Sequence, residues 1–221
     1  MREIWVAIVF ALALAGGYPA AAQVPKPDGA PGGTAPGGAA SAASLLAPTP
    51  QDRVLGKADA PITIVEFASF TCSHCARFHN AVLPTLKKKW IDTGKAKLVL
   101  RDFPLDEPAF RAEMLARCVP PERFYPLVEA LFETQDKWAV AKDWRGALEK
   151  LVRLAGIGKK EFDACLGNKA IEDQVAQSRL TAAQQLGVNS TPTFFINGKK
   201  YEGAPTIEAF EQLLSGLAAK S

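Results

Sequence analysis

The stretch that decides the fold, residues 62–75, reads ITIVEFASFTCSHC. Its first six residues are β-branched and aromatic for the most part, which favours an extended strand, and a short polar break separates them from Cys72. A segment of helical composition begins at Cys72. We therefore expect this thiol at a helix N-terminus, where unpaired backbone N–H groups and the helix dipole favour negative charge. Because the thiolate is the reactive form of cysteine, we expect Cys72 to be an acidic, activated thiol.

Cys75 lies one helical turn beyond Cys72 and can attack a mixed disulfide formed there, so the spacing predicts a redox pair. An inert structural disulfide is the alternative, but a bond closing so small a loop tends to be labile and catalytic. Zinc would need a second pair of ligands at a distance, and the two histidines, His74 and His79, both lie in this segment. Covalent haem needs a histidine where this chain has Ala76. We expect neither a metal nor an organic cofactor.

The first fifty residues differ in composition from a folded domain. Residues 1–22 contain a short apolar run followed by small residues, which is typical of a secretory signal peptide; an uncleaved anchor is the alternative. Residues 23–50 are rich in Pro, Gly, Ala and Ser and are predicted to form a flexible linker. Residues 51–221 remain for one globular domain. Export would place that domain in an oxidising compartment.

The charges of the chain give no indication of a nucleic-acid partner. Lysine and arginine together number 26, and aspartate and glutamate number 23, so no strongly basic surface is implied. The basic run Lys87-Lys88-Lys89 is interpreted as a solvated helix face. Residues 23–50 lack the heptad pattern of a dimerising segment, and we expect a monomer.

The order of the predicted elements indicates an α/β fold of the thioredoxin type. Strands are predicted at residues 62–67 and 97–101, with a helix from residue 72 to about 91 between them. A helical stretch follows from residue 106 to 186. The chain then forms a hairpin with strands at 193–196 and 199–202, because Asn197-Gly198 tolerates positive φ, and ends in an amphipathic helix at 207–218. This order predicts a thioredoxin-like sheet with a helical subdomain inserted at about residues 106–186.

Three motifs then carry a family resemblance: VEFASFTCSHC at residues 65–75, RDFPL at 101–105 and GVNSTPTF at 187–194. In this order and spacing they resemble the DsbA-like thiol:disulfide oxidoreductases, over about residues 52–219. The resemblance implies a periplasmic enzyme that transfers its disulfide to unfolded or partly folded exported polypeptides and is reoxidised by a membrane-bound partner. It also implies that Cys72 is the nucleophile and that a cis-proline loop, Thr191-Pro192, lies beside it. Ser73 replaces the proline of the best-known members.

Other side chains are predicted to tune the cysteine pair. His74 can donate a hydrogen bond or charge to the Cys72 thiolate. Glu66 lies within an apolar strand, where a carboxylate is costly unless it is paired or solvated, and thioredoxin-type enzymes commonly hold an acidic group in the matching place. We expect Glu66 to transfer protons or tune the pair, with Arg101 as a candidate partner. His79 is interpreted as an ordinary helix-face residue.

Two covalent features are also expected. Cys118 and Cys165 are predicted to form a structural disulfide because the protein is exported, although two buried free thiols are the alternative. The Thr191–Pro192 bond is predicted to be cis, because Pro192 lies in a break between a helix and a strand where the chain reverses. A trans proline that merely starts the strand is the alternative. The Thr191 hydroxyl would then lie close to the sulfurs and tune them.

These observations predict an exported dithiol oxidase. A disulfide isomerase or reductase would use the same chemistry from a different resting state. A non-catalytic binding module with a thioredoxin-like groove is the alternative from another class, against which the intact Cys-x-x-Cys motif argues.

Overall fold

The computed structural model describes residues 41–219, and the predicted signal peptide and most of the predicted linker lie outside them. The strands are β1 Arg53–Leu55, β2 Ile62–Ala68, β3 Ala96–Asp102, β4 Thr193–Ile196 and β5 Lys199–Lys200. The α-helices are α1 Ala42–Leu46, α2 Ser73–Arg77, α3 Leu83–Leu86, α4 Glu107–Cys118, α5 Pro121–Glu133, α6 Gln135–Trp138, α7 Trp144–Leu154, α8 Lys159–Leu166, α9 Lys169–Gln185 and α10 Ile207–Ala218. Two π-helical segments, π1 Phe78–Val82 and π2 Lys87–Ile91, flank α3 and continue the helical stretch that begins with α2.

The sheet has the strand order β1-β3-β2-β4-β5, with β2 at its centre. Strand β2 runs parallel to β3 and antiparallel to β4, while β1 and β5 pair antiparallel at the two edges. The helices α4 to α9 all lie between β3 and β4 in the chain. This arrangement confirms the predicted thioredoxin-like fold with a helical insertion.

Both faces of the sheet are covered because β2 is apolar on both sides. Ile62 and Ile64 pack with side chains of α3, the π segments and α10 on one face. Val65 and Phe67, which alternate with them, pack with side chains of α1 and α9 on the other. Successive strand residues point to opposite faces, so Glu66 lies on the face of Ile62 and Ile64, under the helical stretch that follows the cysteines.

The N-terminal boundary of the folded part differs from the predicted one. Residues 41–50 were assigned to the flexible linker, but α1 packs on the sheet and Leu46 is only 4% exposed. The Arg101 guanidinium donates hydrogen bonds to the carbonyls of Leu45 and Ala47 and pairs with Asp52 at 2.8 Å. A buried leucine and an arginine from β3 therefore hold ten residues whose composition alone indicates a linker.

The next residue of β3 ties the inserted helices to the sheet. Asp102 and Arg117 of α4 form a buried ion pair, with Arg117 Nε 2.8 Å from the Asp102 carboxylate and Arg117 Nη2 2.8 Å from the Leu100 carbonyl. Each charge is compensated within the interior, as buried charges require. The two charged residues of the 101–105 motif are therefore structural: Arg101 holds α1 and Asp102 holds α4.

The predicted structural disulfide is confirmed. Cys118 at the end of α4 is bonded to Cys165 in α8, with the two Cα atoms 5.8 Å apart. Cys165 belongs to the core of the helical subdomain, together with Phe124, Leu131 and Phe162. Among residues 41–219, no helix combines the length and the apolar character needed to cross a membrane.

Replacing both crosslinked residues, Cys118→Ala with Cys165→Ala, is expected to lower the free energy of unfolding by about 3–4 kcal/mol. The residues are 47 positions apart, so the bond restricts a long loop of the unfolded chain. Denaturant titration of the wild-type and the double variant measures this difference. A loss below about 1 kcal/mol would show that the crosslink contributes little to the stability of the domain.

Candidate active site

Cys72 is the N-cap residue of α2, as the sequence predicts. Its Sγ accepts a hydrogen bond from the backbone N–H of Cys75 at 3.4 Å. The pKa of Cys72 is lowered from 9.0 to about 5, chiefly by its hydrogen bond with Cys75 and further by Thr191 and by the backbone N–H groups of Cys75 and His74. Burial acts in the opposite direction but is outweighed. Cys72 is therefore a thiolate at neutral pH.

Cys75 has the opposite character. It is fully buried, whereas Cys72 is 8% exposed, and both are free thiols in this structure. Burial raises the pKa of Cys75 far above its ordinary value, and the hydrogen bond with Cys72 and the charge of Glu66 raise it further. One sulfur at this site is thus ionised and close to the surface, and the other is protonated and enclosed.

The Thr191–Pro192 peptide bond is cis, which confirms the prediction. The loop lies against the sulfur at the helix start, because the Cys72 Sγ is 3.3 Å from the Thr191 carbonyl oxygen, to which the sulfur donates a hydrogen bond when it is protonated. The Thr191 Oγ1 is buried without a well-formed hydrogen bond, so its hydroxyl is available to the Cys72 thiolate. The loop formed by Thr191 and Pro192, which the sequence predicts beside the cysteines, therefore lies at the site.

Glu66 is fully buried and lies beneath the cysteine pair, but its partner differs from the predicted one. The His79 Nε2 lies 3.0 Å from Glu66 Oε2, while Arg101 pairs with Asp52 on the other face of the sheet. Arg101 is the register partner of Phe67, not of Glu66, and so its side chain leaves on the opposite face. The proposed Glu66–Arg101 pair was therefore wrong.

The interpretation of His79 as an ordinary helix-face residue was also wrong. Its side chain is buried, and its ring stacks on Phe132 of α5 with centroids 4.2 Å apart and planes at 26°. The residue lies in π1, where the helical stretch turns a different set of side chains toward the sheet than a regular α-helix would. A buried carboxylate on β2 requires a polar partner, and this was the one signal in the sequence that pointed to His79.

His74, between the cysteines, has an exposed side chain. Its backbone N–H is one of the groups that lower the pKa of Cys72. A tuning role for its ring stays a prediction.

Gln135, at the start of α6, is a site residue that the sequence analysis did not find. Its Nε2 donates hydrogen bonds to the carbonyls of Phe70 at 2.8 Å and Cys72 at 3.0 Å. The inserted helices thereby hold the turn that carries Cys72. Nothing in the sequence distinguishes this glutamine from a surface residue. Within the part of the chain that the structure describes, no group of three or more His, Cys, Asp or Glu side chains is placed to hold a metal ion.

Comparison with known proteins agrees with this geometry. The thioredoxin family model matches residues 48–215, about three quarters of the chain. The crystal structure of Wolbachia pipientis alpha-DsbA1 superposes with a TM-score of 0.76 at 33% identity, covering 81% of this chain and 97% of that one. The chain belongs to the DsbA-like proteins of the thioredoxin superfamily.

Two curated relatives of this DsbA-like chain also carry names that refer to disulfide chemistry. A Rickettsia typhi protein named as a protein-disulfide oxidoreductase is 37% identical over 153 residues, which are 68% of this chain and 56% of that protein. A Bacillus cereus protein named as disulfide bond formation protein D is 30% identical over 153 residues, 65% of this chain and 69% of that protein. The chain thus spans little more than half the length of the rickettsial relative.

Replacing Thr191 by valine is expected to raise the pKa of Cys72 by about half a unit to one unit. The substitution keeps the shape of the side chain and removes the hydroxyl, and one hydrogen bond contributes about 0.5–1.5 kcal/mol, where 1.36 kcal/mol corresponds to one pKa unit. Thiolate absorbance of the reduced protein, recorded against pH, measures the change.

Thr193→Val is the matched control, because the Thr193 hydroxyl donates to the Ser190 carbonyl and not to a sulfur. An unchanged Cys72 pKa in Thr191→Val, or an equal shift of that pKa in both variants, would contradict a hydrogen bond from the Thr191 hydroxyl to the Cys72 thiolate.

Proposed function

We propose that this protein is an exported thiol:disulfide oxidase that introduces disulfides into unfolded or partly folded exported polypeptides through the Cys72–Cys75 pair. The observation that carries the proposal is the division of the pair into an acidic thiol with a pKa of about 5 and a buried thiol whose pKa is raised. The relatives named for disulfide chemistry support the same reaction class.

The direction of the reaction follows from the stability of the dithiol form. A thiolate stabilised in the reduced enzyme makes the disulfide form the better oxidant, as in the strongly oxidising members of this superfamily. For a two-electron couple, each tenfold change in the equilibrium constant corresponds to about 30 mV of reduction potential. Each pH unit by which the pKa of Cys72 lies below the ambient pH therefore makes the reduction potential of the enzyme about 30 mV more positive. This argument favours an oxidase over a reductase.

The reaction begins at Cys72 because the sulfur of Cys75 is enclosed. A substrate thiolate attacks the Cys72 sulfur of the enzyme disulfide, a substrate–Cys72 bond forms, and the bond to Cys75 breaks with its electron pair passing to Cys75. A second substrate thiolate then attacks the substrate sulfur. Cys72 leaves as the thiolate that the Cys75 N–H group stabilises, and the substrate keeps the new disulfide.

The substrate is an extended polypeptide segment. The Thr191 main chain lies beside the Cys72 sulfur and is separated from β4 by Pro192 alone. A segment whose cysteine reaches Cys72 lies alongside this main chain and pairs with it as an added strand. Main-chain pairing accepts many sequences, as an enzyme with many clients requires. The signal-like N-terminus supports a reaction in the periplasm, where a membrane-bound partner reoxidises the monomeric enzyme.

The disulfide form is expected to oxidise a reduced, unfolded polypeptide carrying two cysteines in a one-to-one reaction. Reduced Cys75→Ala, given the same polypeptide in its disulfide form, is expected to accumulate a mixed disulfide at Cys72, because the Cys72 thiolate attacks the substrate disulfide and releases one substrate thiolate. Cys72→Ala should form neither product. Acid quenching and mass spectrometry identify the species, and the Cys118→Ala/Cys165→Ala variant controls for the structural disulfide.

Equilibration with glutathione then separates an oxidase from a reductase. We expect a reduction potential more positive than about −180 mV, compared with about −270 mV for the reductant thioredoxin. A value near that of thioredoxin would contradict the oxidase, and the absence of any adduct at Cys72 would contradict an enzyme altogether.

A further inference from the structure

A proton is needed at a place that solvent does not reach. When the Cys72–Cys75 bond breaks, the electron pair passes to Cys75, whose sulfur is fully buried. The interior disfavours a thiolate there, and the nearby carboxylate of Glu66 disfavours it further. The leaving sulfur must therefore receive a proton during this step, and Cys75 must lose that proton when it attacks a mixed disulfide in the reverse direction.

We propose that His79 carries this proton between Glu66 and a cavity that π1, α3 and α5 line, and so acts as a positioning residue for the Cys75 step. The inference rests on the proposed function, because only thiol–disulfide exchange makes and breaks the bond to Cys75. It assigns a role in that reaction to a residue that reaches Cys75 only through Glu66.

The inner end of the route is the Glu66 carboxylate. One oxygen, Oε2, is 3.0 Å from the His79 Nε2. The other, Oε1, is buried and has no hydrogen-bond partner among the residues that the structure describes. A buried carboxylate with an unpartnered oxygen can take up or release a proton without breaking an existing contact. Glu66 Oε1 is therefore free to move a proton toward Cys75, whose pKa the charge of Glu66 raises, while Oε2 stays bound to His79.

The outer end of the route is a cavity of about 120 Å³ that His79 lines. Its walls are largely apolar, with Leu83 and Val128 among them, while the exposed side chains of Lys87 and Glu129 belong to its rim. A water molecule occupies about 30 Å³ in the liquid, so the cavity has room for a few waters. Waters held there would connect the imidazole to bulk solvent past the exposed side chains of the rim.

The ring of His79 is held so that both ends of the route are in reach. It stacks on Phe132 and meets Phe78 edge-on, with centroids 5.6 Å apart. Stacking fixes the ring plane, and the contact with Glu66 fixes which nitrogen faces inward. Histidine is suited to this role because one imidazole nitrogen can accept a proton while the other donates one.

The proton balance of the step is simple. The substrate thiolate supplies the electron pair of the new bond, the Cys72–Cys75 bond breaks, and Cys75 receives one proton that His79 gives up through the Glu66 carboxylate. His79 then regains a proton from a cavity water, so that Glu66 is a carboxylate before and after the step and the net reaction consumes one proton from solvent.

The other titratable groups around His79 leave this route free. Tyr125 also lines the cavity, but its hydroxyl donates to main-chain carbonyls and accepts from the Leu100 N–H, and burial raises its pKa. Lys87 pairs with Asp92 at the surface. Glu129 belongs to the exposed rim of the cavity.

The experiment separates the Cys72 step from the Cys75 step. The reduced enzyme reacts at acid pH with a one-cysteine peptide that carries a chromogenic disulfide, which gives the Cys72 mixed disulfide. A jump to pH 7 then starts its resolution by Cys75, and peptide release is followed in a single turnover. The variants are His79→Gln, which keeps a donor to Glu66 but cannot exchange a proton, and His79→Ala, which leaves space for an added base. Lys88→Gln, at an exposed position of π2, is the matched control.

We expect His79→Gln to form the mixed disulfide at the wild-type rate and to release the peptide at least tenfold more slowly at pH 7, within the range of general acid–base effects. Its pH profile should also differ from that of the wild type, because the glutamine side chain takes up no proton. Release by His79→Ala should be slowed equally and should recover with added imidazole. If His79→Ala does not fold, His79→Gln and its pH profile decide the question alone.

Peptide release by His79→Gln within twofold of the wild-type rate, with an unchanged pH profile, would overturn the inference and leave the proposed function intact. Slow release by His79→Ala that imidazole does not accelerate would overturn it too, since such a loss reflects packing on Phe132. A wild-type enzyme that forms no mixed disulfide at all would instead overturn the proposed function.

Discussion

The hydrogen bond from the Cys75 backbone N–H to the Cys72 sulfur, at 3.4 Å, is the interaction on which the chemistry of this protein depends. It exists because the helix begins directly after Cys72, so that the first free N–H groups of the helix meet a sulfur and not water. The same turn carries Cys75 into the interior, where its thiol is fully buried. One helical turn thus creates two thiols of opposite acidity.

The rest of the fold keeps that turn in place. Strand β2 is the central strand of the sheet and delivers both the turn and Glu66. The inserted helices reach it through Gln135, which bonds the carbonyls of Phe70 and Cys72, and the loop before β4 reaches it through the Thr191 carbonyl. The site is therefore made by three segments far apart in the sequence, and the sheet and the inserted subdomain both contribute to it.

Features set by short stretches of sequence could be predicted from them. The bounds of β4 and α10 were predicted as the structure has them, and the Asn197-Gly198 turn has positive φ at both residues. The cis bond before Pro192 and the Cys118–Cys165 bridge followed from the position of the break and from the cysteine count. The contacts of Glu66, His79 and Gln135 could not be predicted, because they depend on the π-helical segments and on how the inserted helices pack. The docking of α1 depends likewise on Arg101, a residue from a distant strand.

The pH dependence of the reduction potential tests most directly whether the Cys72 thiol is ionised while the Cys75 thiol is protonated. With Cys72 ionised and Cys75 protonated, reduction takes up one proton for two electrons. The potential should therefore fall by about 30 mV per pH unit between pH 6 and 8. Below the Cys72 pKa of about 5, two protons are taken up and the slope should approach about 59 mV per unit. A slope of about 59 mV through neutral pH would show that Cys72 is an ordinary thiol and would contradict the account.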